Sequence, residues 1–233
     1  MATNEVIVEF DRVSKVYQEG RVEVRAVKEL SLKLHRGDFT VLYGPSGSGK
    51  TTILNLIGAL DVPSDGRVLV EGNNLSGLSR TQLSHLRRDR IGFVFQAYNL
   101  VPVLTAFENA EFVLALQGVE KKERYHRTMK VLEEVGIADL ADRRPDELSG
   151  GQQQRVAIAR AIAPEPVIIL ADEPTANVDS ANAAGLLNLM ERLNREKNIT
   201  FLFSTHDERV ISRARRLIRL KDGELASDQT VVQ

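Results

Sequence analysis

Val167-Ile168-Ile169-Leu170-Ala171-Asp172-Glu173 is the stretch on which the fold turns. Its apolar run shows no alternation, so neither face can be turned to water, the condition of a central parallel strand covered on both sides. It ends in two carboxylates. In an open parallel sheet the carboxyl ends of such strands form the rim of a ligand crevice. Asp172 and Glu173 therefore mark both the middle of the sheet and the edge where chemistry belongs.

Upstream, Thr40 to Tyr43 is a second short strand, and it runs into Gly44-Pro45-Ser46-Gly47-Ser48-Gly49-Lys50-Thr51, followed by Thr52. The segment fits G-x-x-x-x-G-K-[ST] in its required context, strand before and helix after. Glycines let the backbone curl so that successive N–H groups converge, and the positive end of the next helix adds to the field, which suits phosphate oxygens. Lys50 is placed to reach the β and γ phosphates, and the Thr51 hydroxyl to ligate Mg²⁺. With a phosphate loop present, Asp172 becomes a Mg²⁺ ligand, directly or through water, and Glu173 the general base that polarises an attacking water. The loop alone implies only a nucleoside triphosphate; no Asn-Lys-x-Asp element for reading guanine is present.

The rest of the chain alternates strands and helices at both ends. Strands are expected at Val6–Phe10, Leu30–His35 (where Leu30, Leu32 and Leu34 alternate with polar residues), Val68–Val70, Ile91–Phe95, Ile199–Phe203 and Leu217–Leu220. Ile53, Leu54, Ile57 and Leu60 share one helical face after the phosphate loop. Ser79 with Gln82 and Thr105 with Glu108 have the spacing of capping boxes, opening helices to about Arg88 and Gln117. Lys121–Val135 is a charged amphipathic helix closed by Gly136, and a helix from Gly150 is stopped by Pro164. Gly185–Asn194 is expected as helix, Lys221-Asp222-Gly223-Glu224 as a hairpin turn, and the polar tail after Ala226 as loose. The stretch from Gln96 to Ala163 is mostly helical, so the pattern is an α/β core with an inserted helical part.

Composition narrows the partners. A net charge of -1 implies no general polyanion surface and no nucleic acid. The absence of cysteine excludes disulfides and thiolate metal sites, and the four histidines show no metal-ligand spacing. No apolar run is long enough to span a bilayer and Met1–Glu9 lacks a signal-peptide pattern, so service to a membrane has to come through partners.

Leu148-Ser149-Gly150-Gly151-Gln152 precedes the helix to Ala163 and forms a second anion-binding helix start. With the phosphate loop and the acidic pair in this order, the pentapeptide makes the chain resemble an ABC ATPase over nearly its full length. That resemblance implies a P-loop NTPase (RecA-like) core with an N-terminal antiparallel β subdomain, formed by residues 1–95 and 164–233, and a helical subdomain over residues 96–163 that carries the signature. It implies ATP and Mg²⁺ as the bound species. Gln96 matches the hinge glutamine that contacts Mg²⁺ and water, His206 the switch histidine at the γ-phosphate, and Tyr17 the aromatic that stacks on adenine. Ala176-Asn177-Val178-Asp179 occupies the D-loop position, departing from the commoner Ser-Ala-Leu-Asp wording while keeping Asp179. It further implies a head-to-tail twofold dimer in which Ser149, Gly150, Gly151 and Gln152 of one copy close on the nucleotide held by the other.

The stretches Asn55–Asp61, Arg90–Gln96 and Asn99–Pro102, with Tyr43–Thr52, are most similar to the MacB/LolD group, with FtsE nearby. This implies a peripheral ATPase at the cytoplasmic face of the inner membrane, driving export, lipoprotein or peptide extrusion, or force transmission. Residues 97–116, with Leu100, Val101, Val103, Leu104, Phe107 and Phe112, are expected to mix subdomain core with a groove for integral membrane permease subunits. The basic cluster Arg87, Arg88 and Arg90 reads as a solvated face. The alternatives are a non-transport ABC ATPase and an ATP-dependent regulatory scaffold with an FtsE-like division role.

Overall fold

The computed structural model describes residues 5–20 and 22–231. A four-stranded antiparallel sheet has the order β2-β1-β4-β5, from β1 (Val6–Glu19), β2 (Val22–His35), β4 (Asp65–Val70) and β5 (Asn73–Asn74). A six-stranded sheet has the order β10-β9-β3-β8-β7-β6, from β3 (Phe39–Tyr43), β6 (Ile91–Phe95), β7 (Ile168–Asp172), β8 (Thr200–Ser204), β9 (Arg216–Lys221) and β10 (Glu224–Thr230). Strands β9, β3, β8, β7 and β6 are parallel, and β10 closes one edge antiparallel. This is the mixed α/β class with a separate antiparallel sheet.

The lack of alternation in the central strands has the expected cause. Val41, Ile169, Ala171, Phe201 and Phe203 point to one face, into a cluster with α5 (Gly150–Ile162) and α6 (Ser180–Lys197). Leu42, Ile168, Leu170, Leu202 and Ile218 point to the other, into a cluster with α1 (Lys50–Ile57) and the inner face of the antiparallel sheet, including Phe10, Leu30, Leu34 and Val68. Every one of these residues is essentially inaccessible to water. Period-two alternation is present; it sorts apolar residues between two cores rather than between core and solvent.

Between β6 and β7 run α3 (Ala106–Leu116), α4 (Lys121–Glu134) and α5. Ala110, Leu114, Val131 and Leu132 of the first two share the first cluster with the sheet. Both expected capping boxes form, Ser79 with Gln82 opening α2 (Arg80–Arg90) and Thr105 with Glu108 opening α3, and the structure adds a third, Ser149 with Gln152 at the start of α5. Fully buried Asn109 shapes the loop before α3, donating to the carbonyls of Val101, Leu104 and Thr105 and accepting from the Val101 N–H.

Several expectations need correction. β1 and β2 are far longer than the alternating segments suggested. Their register slips at Arg12 (φ 47°) and Glu29 (φ 42°), and the displaced N–H groups of these two residues are caught by the Ser31 and Ser14 hydroxyls. Of the tail after Ala226, Ser227–Thr230 are not loose: they pair with Arg216–Arg219, and Arg216 forks onto Asp228 at 2.7 and 2.8 Å, while residues 232–233 lie outside the described residues. The turn feeding it, Asp222-Gly223, has both residues at positive φ, as a tight hairpin requires. Leu60 is half exposed because α1 stops at Ile57 and Ala59 turns left-handed (φ 52°). Helix α6 begins at Ser180, not Gly185, since Asp179 accepts the N–H groups of Ala181 and Asn182. Arg88 and Arg90 are paired with Asp89 and Glu71, and Arg87 donates to the Ala59 carbonyl, so this cluster is tied inward rather than freely solvated.

Two side chains fasten the sheet at its two ends, Asn194 at the amino ends of β3, β8 and β9 and Asp207 past the carboxyl end of β8. Buried Asn194 of α6 donates to the Gly37 and Ile199 carbonyls and accepts from Arg215. Asn194→Leu leaves these groups unsatisfied and is expected to cost about 1–3 kcal/mol, read as a lower urea midpoint at unchanged slope. Asp207 caps α7 (Glu208–Ile211) and accepts the Thr175 hydroxyl at 2.7 Å; the Arg209 guanidinium beside it lowers its pKa from 3.8 to about 2. A pKa depressed by folding gives stability that is complete well above the unfolded value and is lost as pH falls through the folded one. Asp207→Asn is therefore expected to destabilise at pH 7, with a gap to the unmutated protein that narrows toward pH 3.

Candidate functional site

The carboxyl ends of β3, β6, β7 and β8 open on one cleft of about 800 Å³, within the range of small-molecule sites. From β3 come Gly44, Pro45, Ser46, Gly47 and Gly49, then Lys50, Thr51 and Thr52 on α1. Gln96 follows β6, Asp172 and Glu173 end β7, and Ser204 and His206 end β8. The hairpin of β1 and β2 reaches over from the other sheet with Tyr17, Val24 and Ala26.

The phosphate loop is built as its sequence requires. Gly49 sits at φ 100°, and a Cβ there would lie 2.4 Å from the Ala26 carbonyl, so only glycine lets the loop run beneath the hairpin. The Lys50 ammonium folds over the loop, donating to the Gly44 and Pro45 carbonyls at 2.8 and 2.9 Å. Ser48 differs from the rest: its side chain is buried behind the loop, its hydroxyl has no hydrogen-bond partner among the described residues, and its N–H donates to the Pro45 carbonyl. It braces the loop instead of lining the cleft.

Glu173 is held from three sides. Its backbone is left-handed (φ 46°), a strained state for a side chain of this size, and its N–H is tied to the Ser204 carbonyl at 2.9 Å. One carboxylate oxygen accepts the buried Thr205 hydroxyl at 2.7 Å; the other lies 2.6 Å from Nδ1 of His206, whose ring is otherwise open to solvent. The carboxylate is thus aimed into the cleft with little rotational freedom. Burial, reinforced by the neighbouring Glu173 charge, pushes the Asp172 pKa up, against opposing pulls from Ser204, Lys50 and Thr51.

Asp172, the Thr51 hydroxyl and the Gln96 amide are hard oxygen donors facing one cleft. Among the described residues no three His, Cys, Asp or Glu side chains are placed to hold a metal ion between them. One carboxylate and a hydroxyl beside a phosphate loop suit Mg²⁺, which keeps water and phosphate in most of its positions, better than ions that want a full protein cage.

Tyr17 is fixed by its hydroxyl, which donates to Asp61 at 2.8 Å, and by the Lys15 ammonium 4.8 Å from its ring centre. Val24, Ala26 and Ser204 were not marked by the sequence. Val24 is cross-strand to Tyr17, a pairing visible only once register is known. Ser149, Gly150, Gly151, Gln152 and Asp179 do not line this cleft. Ser149 caps α5, and Asp179 caps α6 while accepting Asn182 Nδ2 at 2.6 Å.

The family model described as ABC transporter matches residues 27–176. An uncharacterized ABC transporter ATP-binding protein of Thermotoga maritima is 44% identical over 219 residues, covering 94% of this chain and 93% of that one. The macrolide export ATP-binding/permease protein MacB of Hyphomonas neptunium is 42% identical over 95% of this chain, which spans only 34% of that protein's length. The dimeric post-hydrolysis structure of the ATP-binding cassette MJ0796, from Methanocaldococcus jannaschii, bound to ADP and Pi, superposes with a TM-score of 0.90 at 41% identity, over 97% of this chain and 100% of that one. The chain therefore belongs to the ABC transporter family, as an ATP-binding cassette that hydrolyses ATP with Mg²⁺.

Proposed function

We propose that two copies of this chain form a twofold, head-to-tail ATPase that drives membrane subunits of the MacB type in export or extrusion. The observation that carries the proposal is the division of the site. The phosphate loop, Gln96, Asp172, Glu173 and His206 meet in one cleft, while Ser149–Gln152 and Asp179 do not line it. A second copy supplies what the cleft lacks: the Ser149 helix start then faces the γ-phosphate, and Asp179 lies at the seam. The dimeric MJ0796 cassette supports this reading by likeness.

Within each cleft the tasks divide by chemistry. Tyr17 stacks on the adenine. The loop N–H groups and Lys50 take the phosphate oxygens. Thr51, Asp172 and Gln96 hold Mg²⁺, which when bound neutralises charge on those oxygens. Glu173 orients and deprotonates the attacking water, and His206, hydrogen-bonded to it, faces the γ-phosphate. ATP favours the closed pair, and hydrolysis with phosphate loss releases it, which converts binding energy into motion.

Among the described residues no helix is long and apolar enough to cross a membrane. The membrane subunits are separate chains on this reading, and the ATPase sits peripherally at the cytoplasmic face of the inner membrane. Their docking place is the groove of about 450 Å³ beside α3, floored by Phe93, Phe95, Phe112 and Leu116. Of the segment 97–116, Val103, Phe112 and Leu116 are exposed, while Leu100 and Phe107 pack on the core. The helical segment 96–163 between β6 and β7 moves as the inserted subdomain. LolD-like lipoprotein release and FtsE-like force transmission use the same parts with other membrane subunits.

Glu173→Gln is expected to keep ATP affinity, lower turnover by about 10²–10⁴-fold, and elute as a dimer when ATP is added. Wild-type turnover by a protein that stays monomeric with ATP would contradict the proposal. Phe112→Asp is expected to leave basal hydrolysis unchanged and abolish co-sedimentation with inner-membrane vesicles of the source cell; undiminished sedimentation would remove the groove from the account.

A further inference from the structure

Past the hinge glutamine, Tyr98 and Asn99 are consecutive non-glycine residues in the left-handed region, at φ 59° and 50°. Such backbone costs about 1 kcal/mol or more per residue and persists only where surroundings hold it. Arg160 of α5 is one holder, donating to the Tyr98 carbonyl at 2.8 Å and to the Asn99 carbonyl at 2.5 Å; among the described residues it has no carboxylate partner. The other holder is the loop before α6. The Tyr98 hydroxyl donates to the Asn177 carbonyl at 2.9 Å, and the Asn177 side-chain amide donates back to the Gln96 carbonyl at 3.1 Å.

This two-way tie lies against the start of α5. A Cβ on Gly150 would fall 2.7 Å from the Tyr98 hydroxyl oxygen and 3.1 Å from the Asn177 carbonyl. Glycine is needed there for space, not for backbone conformation. Three segments assigned to nucleotide chemistry, those of Gln96, Ser149–Gln152 and Asp179, thus meet at the Tyr98–Asn177 pair: the phenolic hydroxyl holds Asn177 and lies against Gly150, and Asn177 holds Gln96. Tyr98 lines neither the nucleotide cleft nor the apolar groove. Asn99 and Arg160, however, do line that groove.

We propose that Tyr98 is a positioning residue, whose hydroxyl clasps Gln96, the Ser149 helix start and the Asp179 loop into one unit and couples them to the groove through Asn99 and Arg160. The inference rests on the ATPase reading above. The clasp lies outside the nucleotide cleft, so its loss leaves ATP binding intact. What it sets is the alignment of Gln96 in one cleft with the helix start and Asp179 offered to the other.

Tyr98→Phe keeps the ring and deletes only the hydroxyl. In the full chain it is expected to lower kcat by about three- to tenfold, the worth of one neutral hydrogen bond, with KM, ATP affinity and Tm unchanged. Asn177→Ala is expected to lower kcat similarly, and the double variant to be little worse than either single, because both ties belong to one clasp. Hydrogen exchange read without nucleotide is expected to rise at Gln96–Asn99 and Asn177–Asp179 together in Tyr98→Phe. Unchanged kcat and unchanged exchange would overturn the proposal, as would a loss of kcat matched by equal losses of ATP affinity and Tm. Coupled exchange in a protein that hydrolyses no ATP would support the clasp and sink the ATPase reading instead.

Discussion

Parallel register is the constraint from which the site follows. Phe95 pairs with Asp172, Asp172 with Ser204, and Leu42 with Ser204, so β6, β7, β8 and β3 all end on one line. Both faces of these strands are sealed by side chains, which leaves their carboxyl ends as the place where polar groups can emerge. The next residues along the line are Gln96, Glu173, Thr205 with His206, and the phosphate loop. Four segments distant in sequence thus meet without any long loop to bring them there. A one-residue slip of β7 against β8 would turn Asp172 to the opposite face and carry Glu173 away from Thr205.

Local chemistry then refines what register delivers. Left-handed backbone at Glu173 and two hydrogen-bond partners on its carboxylate fix one geometry where an ordinary strand end would allow several. The same economy appears at the helix starts. Ser149 and Asp179 each satisfy the amides of their own helix, which anchors them to the scaffold while leaving them outside their own cleft. A rigid helix start offered outward is what a composite site needs from each half. On the proposed reading, the residues that stabilise these helix starts are also the ones offered to the other copy.

Much of this was legible in the sequence because the signals were local. The phosphate loop, the apolar run before Asp172 and the capping boxes each fit within a few residues, and each formed as its spacing required. Apart from the local start of α6 at Asp179 and the end of α1 before Leu60, the misreadings were of long-range pairing. The polar tail carries no apolar pattern because β10 is an edge strand held by β9 and Asp228, not by a core. The bulges at Arg12 and Glu29 break the alternation of β1 and β2, which hid two long strands behind two short ones. Val24 and Ala26 in the cleft, Asn194 at the far, amino ends of β3 and β8, and the tie between Tyr98 and Asn177 depend on partners many residues away, and no motif announces them.

On the proposed reading, one cleft is completed by another copy of the chain. Mixing two inactive variants tests it directly: Lys50→Ala, which spoils the phosphate loop, and Ser149→Arg, which spoils the offered helix start. In a mixed pair the intact loop of one chain meets the intact helix start of the other, so one of the two clefts is whole. The mixture is expected to hydrolyse ATP well above the sum of its separate parts, with a dependence on mixing ratio that peaks near equal amounts. Hydrolysis that stays at that sum at every ratio would contradict it.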